Sequence, residues 1–412
     1  MNTLHDDDTD ASALREAMID ELRAMGVIRT NRAAAAFRAV PRHLFVPGES
    51  LTSAYAANSS VLSKLDERGV VISTVSAAHI QAVMLEQAQV RPGMRVLEIG
   101  SGGYNAALLA EQVGADGEVT TVDIDAEVID RARSCLDTAG YDRVRTVLAD
   151  ADGGVPEYAP YDRIIVTVRA WEIPTAWVDQ LADDGRVVVP LRLLGLTRSV
   201  ALDRTAKTGG DTAGRQLVGE DVRLCSFVPM QGACAHAERV VCLDRDRIEL
   251  RFEGWEPVDP ILLQNALFGP TLERWSGIEF TRPDLLDLWL ASSLSSSAIL
   301  TAQQGAIDDG LVGPAARLGV PALVGLGGIA YRMKRPASTF EGFEVGVRAH
   351  GPDAAELAEQ YLDALLGWHR QHPSTDIPGP RIEVFPTTVP DAELPPGRVV
   401  DKAQSRVVIS WP

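Results

Sequence analysis

The residues best suited to chemistry lie around one strand-to-helix turn. Val96-Leu97-Glu98-Ile99 is an apolar strand carrying one acid; it breaks into Gly100-Ser101-Gly102-Gly103 before Tyr104-Asn105 open a helical run. Glycines remove the Cβ atoms that would hold a ligand off the backbone, and a helix start offers unpaired N–H groups. A second strand, Val119-Thr120-Thr121-Val122, ends in Asp123-Ile124. In doubly wound folds an acid about 20 residues past the glycine turn holds a nucleotide ribose. Asp150-Ala151 closes a third strand, where the carboxylate either accepts from an adenine amino group or serves a local turn with Asp152 and Gly153. Ile164-Ile165-Val166 ends at Thr167, facing the same crevice. Glu98 is either a cofactor contact or a support behind the turn. The expected cofactor contacts are therefore Glu98, Gly100, Ser101, Gly102, Tyr104, Asn105, Asp123, Ile124, Asp150, Ala151 and Thr167.

A dinucleotide fits this turn poorly. The pyrophosphate fingerprint G-x-G-x-x-G is absent, and no basic residue stands in the turn to meet a phosphate. Both facts favour S-adenosyl-L-methionine, which carries no phosphate.

The elements that position these residues alternate. Strands are predicted at 94–99, 118–123, 144–148, 162–168 and 185–190, with helices at 105–113, 126–139 and 173–182 between them. That alternation predicts an α/β fold with a doubly wound, mostly parallel sheet. Thr30 is placed to cap a helix stopped by Pro41, residues 48–75 read as irregular, and 205–214 as a loop. Residues 1–10 read as a disordered tail, 11–238 as the cofactor domain, and 239–412 as a second, α+β domain. In that second domain, Ala354, Leu357, Ala358, Tyr361, Leu365 and Trp368 share one helix face. Trp255, Trp275, Trp289 and Trp368 read as core.

The chain has 412 residues, a net charge of −18, 46% hydrophobic and 23% charged residues, as in a soluble globular protein of two domains. The negative balance argues against nucleic acid and against an anionic membrane surface as partners. Cys135, Cys225, Cys234 and Cys242 have neither CxxC nor metal-ligand spacing; they read as buried free thiols in a reducing, cytoplasmic setting. The acidic N-terminus has no apolar signal region.

Several segments, taken in order, resemble the protein-L-isoaspartate (D-aspartate) O-methyltransferases over residues 12–235. They are Arg38-Ala39-Val40-Pro41-Arg42-His43-Leu44-Phe45-Val46-Pro47, Ala54-Tyr55, Ser73-Thr74-Val75-Ser76-Ala77-Ala78-His79, the Val96–Tyr104 turn, Ile164-Ile165-Val166-Thr167, Glu172-Ile173-Pro174, Arg186-Val187-Val188-Val189-Pro190 and Phe227-Val228-Pro229. The resemblance implies a Rossmann-like class I methyltransferase fold and a carboxyl O-methyltransferase activity. There are departures. Ala78 stands where the family has Pro, Ser59–Leu65 stands near a missing Pro-Leu-Pro-Ile-Gly segment, the glycine turn is one residue shorter, and 239–412 is extra. These departures resemble the branch that acts on ribosomally made, modified peptides (lanthipeptides, lasso peptides, graspetides). That branch implies a constrained precursor peptide as partner, methylation of an ordinary aspartate, and collapse of the ester to a succinimide.

A substrate carboxylate, with an ordinary pKa of about 3.9, is already ionised near neutrality, so the transfer needs no general base. The remaining task is alignment. Ser76 is the expected catalytic residue, its hydroxyl holding the carboxylate; on sequence alone the same hydroxyl reads as a helix cap. Thr74, Val75 and Tyr55 are the other expected substrate contacts, and His79 reads as a helix-surface or supporting residue.

Overall fold

The computed structural model describes residues 3–205, 215–254, 257–280, 285–337, 342–372 and 379–412, with the side chains of 3–9 and 280 left aside. The predicted loop at 205–214, apart from Thr205, and Trp255 lie outside the described residues.

Two compact units result. The first takes in Met1–Arg192, Thr197–His236 and Pro380–Trp411, the second Leu193–Leu196 and Ala237–Gly379. The first begins with helices α1 (Thr3–Ala24), α2 (Asn31–Ala39) and α3 (Leu51–Ala54). Helix α1 thus covers most of the segment expected to be disordered. Thr30 caps α2 by accepting from Ala33 N, and the helix stops before Pro41, as predicted.

Strands β1 (Val61–Leu65) and β2 (Val71–Val75) form an antiparallel hairpin where the sequence read as irregular. Its turn is held by Asp66 Oδ1, which accepts from Arg68 N and Val70 N, and by Gly69 at φ +79°. Helix α4 (Ala78–Ala88) follows. Then come β3 (Arg95–Ile99), α5 (Tyr104–Val113), β4 (Glu118–Asp123), α6 (Ala126–Thr138), β5 (Arg145–Leu148), β6 (Tyr161–Val166), α7 (Thr175–Gln180), β7 (Leu181–Leu193), β8 (Leu196–Arg204) and β9 (Leu217–Leu224). Nearly every residue of α5 is buried, which its Ala-Ala-Leu-Leu-Ala run requires.

The second unit holds β10 (Arg239–Leu243), β11 (Ile248–Phe252), α8 (Pro260–Leu267), β12 (Thr271–Phe280), α9 (Leu286–Ser293), β13 (Ser297–Ala302), α10 (Gln304–Asp308), β14 (Val320–Val324), β15 (Ile329–Pro336), β16 (Phe343–His350) and α11 (Ala354–Gln371). Its antiparallel seven-stranded sheet runs β10-β11-β13-β14-β15-β16-β12. The predicted face of α11 is its buried face. Trp289 and Trp368 are buried, whereas Trp275 is half-buried under the Arg335 guanidinium.

The chain ends in β17 (Arg381–Pro386), β18 (Arg398–Asp401) and β19 (Ser405–Ser410). These strands join the first unit, giving a ten-stranded sheet in the order β18-β19-β17-β9-β8-β7-β6-β3-β4-β5. The expected boundary at 238/239 therefore differs at the far end, because 380–411 leave the second unit to pair with β9. Strands β5-β4-β3-β6-β7 run parallel. The pairs β8–β9, β9–β17, β17–β19 and β19–β18 are antiparallel, so the sheet is mixed rather than mostly parallel. All four cysteines are free; Cys135 and Cys234 are buried as expected, but Cys242 is exposed.

Candidate active site

Strand order reverses at β3, and ligands of such sheets sit beyond the carboxyl ends of the strands there. Gly100 ends β3 at φ +92°, a conformation that only glycine adopts cheaply, and a Cβ there would stand 2.7 Å from Thr167 Oγ1. Gly103, at φ +78°, caps α5. Asp123 Oδ2 accepts from Ser101 N at 2.9 Å and Oδ1 from Asp125 N at 3.0 Å, so one carboxylate fixes two loops. Burial pushes the Asp123 carboxyl above its usual range, and these backbone N–H groups partly oppose the shift. Thr167 Oγ1 donates to the carbonyls of Gly100 and Ile99.

A cavity opens at this point. Its lining is Ile72, Ile99, Gly100, Val122, Asp123, Ile124, Asp150, Ala151, Val168, Pro229, Met230 and Gln231. Five expected cofactor residues line it: Gly100, Asp123, Ile124, Asp150 and Ala151. Both oxygens of Asp150 accept backbone N–H groups, Oδ1 from Asp152 and Oδ2 from Ala233, so the local-turn reading holds. Ser101 is buried beside the turn with its hydroxyl unpartnered, and Gly102 packs near Thr74 O and Val75 Cγ2. Apolar walls, two carboxylates and no Lys or Arg suit an adenosine with a cationic sulfur and offer nothing to a pyrophosphate.

Three expected contacts lie behind the cavity instead. Glu98 is fully buried, accepting from Asn105 Nδ2 at 2.9 Å and Thr121 Oγ1 at 2.6 Å, so it and Asn105 brace the turn. Tyr104 points into the core against Phe37 and Phe45, with the Arg42 guanidinium over its ring. An aromatic at the first helical position turns inward here because the apolar face of α5 includes it.

Burial raises the Glu98 pKa to about 7, with the Thr121 and Asn105 hydrogen bonds opposing. In the unfolded chain the group ionises near its ordinary 4.5. Its contribution to stability is therefore whole at low pH and is lost as pH rises through about 7. The expected loss between pH 4.5 and 8 is about 3 kcal/mol. Urea unfolding of Glu98→Gln should lack that part of the wild-type pH dependence; parallel curves for the two proteins would refute the assignment.

The residues expected to meet the substrate lie at the end of β2 and before α4, outside the cavity lining apart from the neighbouring Ile72. Thr74 and Val75 end β2 against Gly102, and Ser76 follows. The N-cap of α4 is Ala77, with no side-chain capping bond, so the capping reading of Ser76 does not hold. The Ser76 carbonyl accepts from Arg42 Nη2 at 2.8 Å. Arg42 is fully buried and also donates to Ala54 O and Gln81 Oε1. With no carboxylate among these partners, burial holds its pKa below the usual arginine range. Tyr55, an expected substrate contact, is buried with its hydroxyl 2.8 Å from His43 Nδ1, and it is a scaffold residue rather than part of the cavity lining. His79 Nδ1 lies 3.3 Å from Ala57 O, a supporting place. Lys64 Nζ bonds both Asp125 oxygens and Glu127, stapling the hairpin to the start of α6.

Arg42, Ile72 and Met230-Gln231 carry no functional signal of their own in the sequence. The nearest available cues were the quoted Arg38–Pro47 and Phe227-Val228-Pro229 runs.

A family model described as protein-L-isoaspartate(D-aspartate) O-methyltransferase matches residues 13–234. The chain is 38% identical to the protein-L-isoaspartate O-methyltransferase of Methanopyrus kandleri over 229 residues, 55% of this chain and 95% of that protein. It is 42% identical to the Methanococcoides burtonii protein of the same name over 175 residues, 42% of this chain and 82% of that one. A solved protein-L-isoaspartate O-methyltransferase aligns with 95% of this chain and 98% of its own at 23% identity, with a TM-score of 0.49.

Proposed function

The chain belongs to the protein-L-isoaspartate (D-aspartate) O-methyltransferase family, and from that premise we propose that it esterifies an aspartate side chain in a constrained ribosomal peptide. S-adenosyl-L-methionine is the cofactor and supplies, when bound, an electrophilic methyl on a cationic sulfur. Asp123, Ile124, Asp150 and Ala151 would hold its nucleoside, with Gly100 leaving room for close approach.

The chain's own residues then have three tasks. Ile72, Ile99, Val122 and Val168 keep the cavity apolar, which favours a step in which opposite charges cancel. Ser76 donates one hydrogen bond to the substrate carboxylate without adding a competing charge. Arg42 fixes the backbone at Ser76, so that alignment, worth up to ~7–11 kcal/mol, is prepaid by the fold. No proton is abstracted. The substrate's next backbone nitrogen then attacks the ester carbonyl, losing its proton as methanol leaves, and a succinimide closes.

The observation that carries this choice of substrate is the β1–β2 hairpin. Leu62, Leu65, Val70 and Val71 are 52, 45, 55 and 39% exposed on the segment that leads into Ser76. Clustered exposed apolar side chains mark an interaction surface, and a compact, ring-bearing peptide would cover them. The second unit is read, by itself, as a peptide-recognition domain. A second reading, repair of isoaspartate in aged proteins, is favoured by the names of the relatives. Methyl transfer from labelled cofactor to a cyclised aspartyl peptide supports the first reading, whereas turnover of a linear isoaspartyl peptide alone assigns the second.

Ser76→Ala is expected to lower kcat/KM about tenfold to a hundredfold, the worth of one lost hydrogen bond to a charged group. S-adenosylhomocysteine affinity should stay unchanged. An equal loss in cofactor affinity would remove the hydroxyl from the substrate side.

A further inference from the structure

The segment that returns at the C-terminus lies outside the region matched by the family, yet it touches the cofactor wall. Between β18 and β19, Gln404 makes three hydrogen bonds. Its backbone N donates to Glu172 Oε2 at 2.6 Å, its Nε2 to Asp152 Oδ1 at 2.9 Å, and its Oε1 accepts from Thr175 N at 3.3 Å. Asp152 is the pivot. Its backbone N donates to Asp150 Oδ1, and its own Oδ1 accepts from Cys234 Sγ at 2.8 Å. Asp150 Oδ2 in turn accepts from Ala233 N. The wall formed by Asp150 and Ala151 is thereby tied to the chain just after Pro229–Gln231, which line the same cavity. Thr175 opens α7, whose Trp177 Nε1 donates to Ala151 O at 2.7 Å, so Gln404 also holds the helix that anchors the same wall. The turn is itself fastened by Lys402, buried, with Nζ on Arg192 O and over the Trp171 ring.

We propose that Gln404 is a positioning residue for the cofactor: through Asp152 it keeps the Asp150–Ala151 wall closed on the bound nucleoside. The proposal rests on the reading that this cavity takes S-adenosyl-L-methionine. It gives the C-terminal strands a part in cofactor affinity, separate from any part in gripping the peptide.

Calorimetric titration of the full-length protein with S-adenosylhomocysteine tests it. Gln404→Ala should weaken binding about fivefold to tenfold, the value of one or two hydrogen bonds, one of them to a carboxylate. The KM for S-adenosyl-L-methionine should rise alike, with kcat at saturating cofactor unchanged. The exchanged pair Gln404→Glu with Asp152→Asn restores a donor facing an acceptor and should recover most of the affinity. Arg406→Gln, which cuts the β19 ion pairs to Asp401 and Asp391 without touching Asp152, serves as the control and should leave affinity as it was. Unchanged affinity in Gln404→Ala, or an equal loss in Arg406→Gln, overturns the proposal. Wild-type protein that fails to bind S-adenosylhomocysteine overturns the site assignment beneath it.

Discussion

Gly100→Ala should reduce S-adenosylhomocysteine affinity by about a hundredfold. Two penalties combine. An alanine at φ +92° is strained by about 1–3 kcal/mol. Its Cβ would also stand 2.7 Å from Thr167 Oγ1 and 3.1 Å from Val168 Cγ1. Thr167 cannot yield cheaply, because its hydroxyl donates to the Gly100 and Ile99 carbonyls. Relief must therefore come from the turn itself, which moves Ser101 off Asp123 and displaces a wall of the cavity. The double variant Gly100→Ala/Thr167→Ala removes the 2.7 Å contact but keeps the strain and the approach to Val168, and should recover part of the affinity. Titration that finds the single variant within threefold of wild type would mean that the turn does not meet the cofactor.

Arg42→Met is expected to cost about 3–5 kcal/mol of unfolding free energy. The substitution keeps the apolar stem but leaves Ala54 O, Gln81 Oε1 and Ser76 O as buried acceptors without their donor. The cation over the Tyr104 ring is lost as well. Arg42→Lys should rescue little, since a single ammonium cannot serve the three directions that the guanidinium fork reaches. Because the Ser76 carbonyl is released, kcat should fall in the surviving folded fraction while cofactor affinity holds. Urea unfolding combined with steady-state kinetics checks both; a loss below about 1 kcal/mol would show that water takes over the three acceptors.

The cavity lining at Gly100, Asp123, Ile124, Asp150 and Ala151 is the part of the candidate site that reads directly from the sequence. Gly100 and Asp123 announce themselves, because a left-handed turn after a strand demands glycine and a ribose demands an acid at the next strand end. The paired readings of Glu98 and Asp150 needed coordinates, since burial decides whether a carboxylate faces a ligand or its own backbone. Arg42 was illegible because arginine is ordinarily a surface residue; only its three-way bonding within a buried shell assigns it a role. The hairpin was hidden by its Ser, Gly and Asp content, although Val61–Leu65 and Val71–Val75 each fit a short strand. The placement of β17, β18 and β19 was beyond reach for a different reason. Strand pairing over long sequence separations leaves no local pattern, so these residues are assigned from the sequence to the second domain, 239–412, although they pair in the sheet of the first unit.

That last pairing has a consequence for biosynthesis. Ile382 lies opposite Gly219, and the Ser405–Ser410 strand is synthesised about 180 residues after β9. A nascent chain that has emerged through residue 234 already carries the whole catalytic homology region, but the flank of its main sheet at β9 is an open edge. Completion waits for the far later β17 to emerge, so products cut short before it would expose an unpaired, aggregation-prone border.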